Sequence, residues 1–154
     1  MNVPLMREHR DCHVPAVAIA ANVTYSQARA ALWHWDLRCI LTSILWSNPW
    51  NLLRALWSLG KPTRVSRCWE PHWWSPFRTI LLVHNPENFL DKHWVVLGFP
   101  TDRGHEVYWG DSKVPRRFTR EKLKNLVEAS WPTYAITVEE AIGYDQLPVA
   151  SGAL

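Results

Sequence analysis

An α+β fold is predicted, with helices first and an antiparallel sheet after them. Three observations predict it. The first 60 residues carry helical signals: a small-residue apolar run from Cys12 to Asn22, and a run opened by Ser47-Asn48-Pro49 and stopped by Gly60. From Thr79 onward the period changes to short β-branched runs separated by turn residues. A capped helical stripe, Thr119 to Ala129, then leads into a last strand-like run, Tyr134 to Val138. Helices followed by strands is the α+β layout.

Each element has its own justification. Val14, Ala16, Val17, Ala18, Ile19, Ala20 and Ala21 make the lead helix hydrophobic on most sides, so it should be buried. Pro15 is tolerated only in a first turn, which puts the helix start within a turn of Cys12. Asn22 and Thr24 punctuate its end, and Ser26 is the expected cap of a second helix running to about Trp35. Leu52, Leu53, Leu56, Trp57 and Leu59 follow Pro49 as a third helix. Thr79 to Val83 reads as a strand ending in a turn at His84-Asn85-Pro86. His93 to Phe99 reads as a buried strand, Pro100 to Gly104 as a hairpin loop, and Glu106 to Trp109 as the returning strand. Asp91 and Asp102 read as turn residues. Leu123, Leu126 and Val127 form the buried stripe of the helix capped by Thr119.

Composition sets limits on function. The chain has 154 residues, enough for one domain with a real core. We expect that domain over residues 1–142, with 143–154 as a flexible tail. A net charge of +3 is too mild to suggest nucleic acid as a partner. The densest basic stretch, Lys113, Arg116, Arg117, Arg120, Lys122 and Lys124, includes Glu121 and reads as a solvated face. The three cysteines, Cys12, Cys39 and Cys68, are odd in number and lack metal-ligand spacing, so neither a disulfide framework nor a metal site is expected. Polar residues open the chain where a signal peptide would be apolar, and Asn48-Pro49, Asn51 and Arg54 interrupt the apolar stretch from Ile40 to Leu59. No integral membrane segment is expected, and the expected compartment is the cytoplasm. The 11 tryptophans read mainly as packing, with a binding groove or membrane-interface surface as the sharper reading. Trp69, Trp73 and Trp74 lie between the two halves of the chain, where a groove would form.

Three side chains carry a chemical pattern. A thiol has an ordinary pKa of about 8.5, so it needs a helix N-terminus and a nearby imidazole to become a nucleophilic thiolate. Cys12 sits where the lead helix starts. His93 opens one strand and Asp111 closes the run Val107-Tyr108-Trp109-Gly110-Asp111. In a hairpin the start of one strand adjoins the end of its partner, so His93 and Asp111 are expected side by side. A third polar group of this kind fixes the tautomer and orientation of the imidazole. Asp11 reads as a helix cap, and Cys39 and Cys68 as small core thiols.

These pieces resemble the papain-like cysteine peptidases, and among them the compact double-glycine leader peptidases and related phage-encoded domains. The resemblance runs from Asp11-Cys12 through Thr79 to Val83, His93-Trp94-Val95-Val96-Leu97-Gly98-Phe99, Val107 to Asp111, Phe118-Thr119-Arg120-Glu121 and Trp131 to Tyr134–Val138. It implies a papain-like fold with the nucleophile at the lead helix. It also implies Cys12 as nucleophile, His93 as general base and acid, Asp111 as orienting residue, and the Cys12 N–H as one oxyanion donor. A peptide or protein substrate and no cofactor would follow. Two departures from the family pattern stand out. No glutamine precedes Cys12 in Met6-Arg7-Glu8-His9-Arg10-Asp11, and His13 follows it where a small residue is common. Two further readings therefore stay open: an inactive interaction module on the same fold, and amide or acyl transfer, such as deamidation or transglutamination, by the same triad.

Overall fold

The computed structural model describes residues 12–36, 49–67, 78–85, 88–101, 104–109, 116–130 and 134–139. Its elements are α1 (His13–Ala21), α2 (Tyr25–Asp36), α3 (Pro49–Ser58), β1 (Thr63–Arg67), β2 (Thr79–Asn85), β3 (Asn88–Thr101), β4 (Gly104–Tyr108), β5 (Arg116–Phe118), α4 (Arg120–Ala129) and β6 (Tyr134–Val138). Among the described residues three helices therefore precede the sheet, as the sequence predicts. The strands lie in the order β1-β6-β2-β3-β4-β5, and each neighbouring pair is antiparallel.

All nine residues of α1 are buried, the polar His13 included, and the other eight are apolar. Its first internal hydrogen bond runs from the Ala16 N–H to the Cys12 carbonyl at 3.3 Å. Pro15 thus falls in the first turn, where its missing N–H costs nothing. The helix ends at Asn22, which adopts the left-handed conformation (φ 56°), and the Val23 N–H closes on the Ala18 carbonyl at 3.0 Å. Arg78 reaches across from the start of β2 and donates to the carbonyls of Ile19 (3.2 Å) and Ala20 (3.5 Å). The C-terminal end of α1 is thereby held at the Thr79 end of β2 by a cation, the favourable sign there.

The cap of α2 is Thr24 rather than the expected Ser26, which lies inside the helix. The Gln27 N–H donates to the Thr24 hydroxyl (3.3 Å), and the Thr24 N–H donates back to the Gln27 side-chain oxygen (2.9 Å). This reciprocal pair satisfies two orphan donors at once, which Ser26 has no partner to match. Thr119 caps α4 as predicted, accepting from the Lys122 N–H at 3.2 Å.

Along β3 the side chains alternate between two cores. Trp94 and Val96 join Ile80, Leu82, Ile136 and Val138 beneath α1, α2 and α3. Val95 and Leu97 join Leu81, Val83, Val107, Trp109 and Ala135 beneath α4. Burial on both faces explains why β2 and β3 read as continuous apolar runs rather than alternating ones.

The strand boundaries differ from expectation. β3 extends from Asn88 to Thr101, so Asp91 is a strand residue and not a turn residue. Its pairing with β2, His84 opposite Lys92 and Asn85 opposite Asn88, carries the hairpin past the expected start at His93. The β3–β4 register shifts between Leu97 and Pro100, where Gly98 lies. A Cβ there would meet the Tyr108 ring at 3.1 Å, so glycine permits the close approach. Strands β1 and β5 were not anticipated. Each lies at a sheet edge, and β5 is three residues long with two arginines. Edge pairing, not side-chain pattern, defines such strands.

Candidate active site

Cys12 occupies the N-cap position of α1 as a buried thiol, 7% exposed, packed into the first core. It stands at the end of the helix that carries partial positive charge, the environment that favours a thiolate. His93 is half-buried on β3, opposite Val83. Because α1 packs on β3, the thiol and the imidazole are carried by elements in direct contact. Asp111 lies outside the described residues. So do Asp11, Cys39, Cys68, Asp102, the Trp69, Trp73 and Trp74 group, and residues 143–154.

Position along β3 gives the imidazole its surroundings. His93 lies two and four residues before Val95 and Leu97, on their face of the strand, and its ring meets Trp109 at 6.0 Å between centroids, with the planes 60° apart. Trp109 is buried in the second core, immediately after β4. The Arg116 guanidinium on β5 lies over the Trp109 indole at 4.7 Å. Among the described residues, the last β3–β4 pair in this direction is Val96 with Tyr108. His93 therefore stands three residues beyond that pair. Sequence reasoning missed both Arg78 and Arg116. Arg116 was assigned to a solvated basic face, and it is exposed, yet its guanidinium sits on an aromatic ring.

Two titratable groups near the β3–β4 pair are perturbed. Burial lowers the His105 pKa, and the positive charge of Arg120 lowers it further. Burial raises the Tyr108 pKa, assisted by the charge and hydrogen bond of Glu106 (3.3 Å) and opposed by Arg78. Among the described residues no cluster of histidine, cysteine or carboxylate side chains could hold a metal ion. No described helix is long and apolar enough to cross a membrane. Of the tryptophans with described side chains, Trp94 and Trp109 are buried, while Trp33, Trp50 and Trp57 are about half exposed.

No protein-family model matches this chain, and no curated protein matches it by sequence. Solved structures do match it. One is a double-glycine motif protease from an AMS/PCAT transporter, in complex with its leader peptide. It aligns at TM-score 0.58 and 18% identity, over 88% of this chain and 90% of the protease. Another is the peptidase domain of Streptococcus ComA, a bi-functional ABC transporter involved in a quorum sensing pathway. It aligns at TM-score 0.63 and 13% identity, over 90% of this chain and 98% of that domain. The fold is the papain-like peptidase fold. At these identities the likeness establishes the fold and no more. The papain-like fold accounts for helices ahead of an antiparallel sheet.

Proposed function

We propose that this domain is a cysteine peptidase that cleaves a peptide or isopeptide bond. Cys12 is the nucleophile, His93 the proton carrier and Asp111 the residue that orients the imidazole. His93 takes the thiol proton, and the thiolate sulfur bonds to the substrate carbonyl carbon. The carbonyl electrons move onto oxygen, where the Cys12 backbone N–H is one donor. Collapse expels the amine, which leaves with the proton from His93, and a thioester remains. Water, deprotonated by His93, attacks the thioester and releases the acid and the thiol.

The observation that carries this reading is the anchoring of α1. Arg78 holds the C-terminal end of α1 at the start of β2. A nine-residue helix is about 13 Å long. Thr79 to Val83 spans a similar length, about 13 Å, in a strand. A helix running along the hairpin would bring Cys12 level with the Val83–His93 pair. The thiol belongs to the first core and the imidazole neighbours the second, so they would meet around the edge of β3 beyond its last described pair with β4. Asp111 is two residues along the chain from Trp109, whose ring touches that of His93, within about 7 Å of reach.

The structural neighbours support a peptide substrate, since one is a protease bound to a leader peptide. The Streptococcus domain is in keeping with a bacterial source, and a reducing compartment, proposed here from the odd cysteine count, would keep Cys12 a thiol. One observation favours the non-catalytic reading: Cys12 is 7% exposed, which is tight for a group that must meet substrate.

The test is a titration of Cys12 alkylation against pH with an uncharged reagent, after replacing Cys39 and Cys68. The expected result is a reactivity pKa below about 8.5 that rises in His93→Ala. Indifference to His93 would refute the catalytic pair and favour an interaction module. Given a reactive pair, mass spectrometry of a treated target separates cleavage from deamidation and crosslinking.

A further inference from the structure

We infer that Trp109 and Arg116 together position the His93 imidazole for proton exchange with Cys12. The inference rests on the reading of His93 as the proton carrier, and it concerns two residues that the Cys-His-Asp pattern does not include.

Three observations support it. The His93 and Trp109 rings are 6.0 Å apart and tilted by 60°, within the range of edge-to-face aromatic contact. Trp109 is in turn covered by the Arg116 guanidinium at 4.7 Å, a cation on the side chain whose ring face holds cations best. Pairing of Val107 with Arg116 sets Arg116 beside β4, and Trp109 directly follows that strand, so the contact is held close to the sheet.

The choice of tryptophan is informative. Its indole N–H is buried, and among the described residues no acceptor reaches it. A buried donor without an acceptor is unfavourable, and phenylalanine or leucine would fill the second core without that cost. What tryptophan adds is a broad ring, and here that ring contacts both a guanidinium and an imidazole. A half-buried histidine on a strand has several rotamers to choose from, so a rigid wall on one side narrows the choice. An imidazole held in one rotamer exchanges its proton with a fixed thiol more often than one that wanders.

The experiment measures the second-order alkylation rate of Cys12 at pH 7 in parent, His93→Ala, Trp109→Leu, Trp109→Phe and Arg116→Gln, all lacking Cys39 and Cys68. It also records the ring resonances of isotope-labelled histidine. Trp109→Leu is expected to slow alkylation about 3- to 10-fold, and Trp109→Phe to restore most of it. Arg116→Gln is expected to slow it about 2- to 3-fold and to move the His93 resonances while leaving those of His84 in place. Arg116 is exposed, so its variant folds even if Trp109→Leu does not. Parent-like rates and His93 resonances in Trp109→Leu or Arg116→Gln, alongside a slow His93→Ala, would overturn this inference alone. A His93→Ala variant as fast as parent would overturn the catalytic pair, and the positioning role with it.

Discussion

At the scale of single residues, interactions of similar appearance differ in weight because burial differs. Ser130 is buried, and its hydroxyl donates to the Leu126 carbonyl at 2.7 Å while accepting from the His84 N–H at 2.9 Å. One side chain thus ties the end of α4 to β2. Ser130→Ala removes a donor and an acceptor from a dry site, and should cost about 1–3 kcal/mol in denaturant unfolding. Lys124 and Glu128 are also linked, at 3.6 Å, but both are exposed. Lys124→Ala should cost about 0.5 kcal/mol or less, and high salt should erase the difference. Equal losses in the two variants would contradict this ranking. Trp94 sits between these cases. It is fully buried and its indole N–H, like that of Trp109, has no acceptor among the described residues. The cavity left by a smaller ring is therefore offset in part by removal of a stranded donor.

At the scale of elements, helix ends decide more than helix middles. Asn22 terminates α1 with φ 56°, a conformation that asparagine and glycine tolerate and alanine resists. Asn22→Ala should lower stability by about 1 kcal/mol, while Asn22→Gly should stay within a few tenths of the parent, measured by urea midpoint. This end was legible in the sequence, as were the Pro15 start and the Thr119 cap, because each rests on one residue's local chemistry. The Leu123, Leu126 and Val127 stripe was legible for a related reason: helical period marks a buried face. Strands β1 and β5 were not legible. Val65 is the lone aliphatic residue of β1, and Arg116 and Arg117 dominate β5, so what makes them strands is a partner remote in sequence. The candidate site divides in the same way. Cys12 and His93 announced themselves by residue type and by the elements around them. Arg78, which bonds a carbonyl 59 residues away, and Arg116, which covers Trp109, became visible only when the sheet assembled.

At the scale of the whole molecule, one sheet separates two cores, and a titratable group in the second couples folding to pH. His105 is buried on β4 opposite Phe118 of β5, which packs on the α4 core. Burial first, and then the positive charge of Arg120, disfavour its imidazolium form and lower its pKa below the ordinary 6.5. The unfolded chain, with an ordinary histidine there, binds a proton more readily than the folded one. Stability from this site is therefore fully present above about pH 6.5 and is lost as pH falls through the folded-state pKa. The urea midpoint should drop between pH 7 and pH 5. His105→Gln, which cannot take up the proton, should flatten that limb. Arg120→Gln should flatten it less, because removing the charge leaves the larger effect of burial in place. A parent midpoint that holds steady or rises on acidification, or an acid limb unchanged in His105→Gln, would show that the imidazole gains its proton without strain. The acid sensitivity of this fold would then have to come from the carboxylates instead.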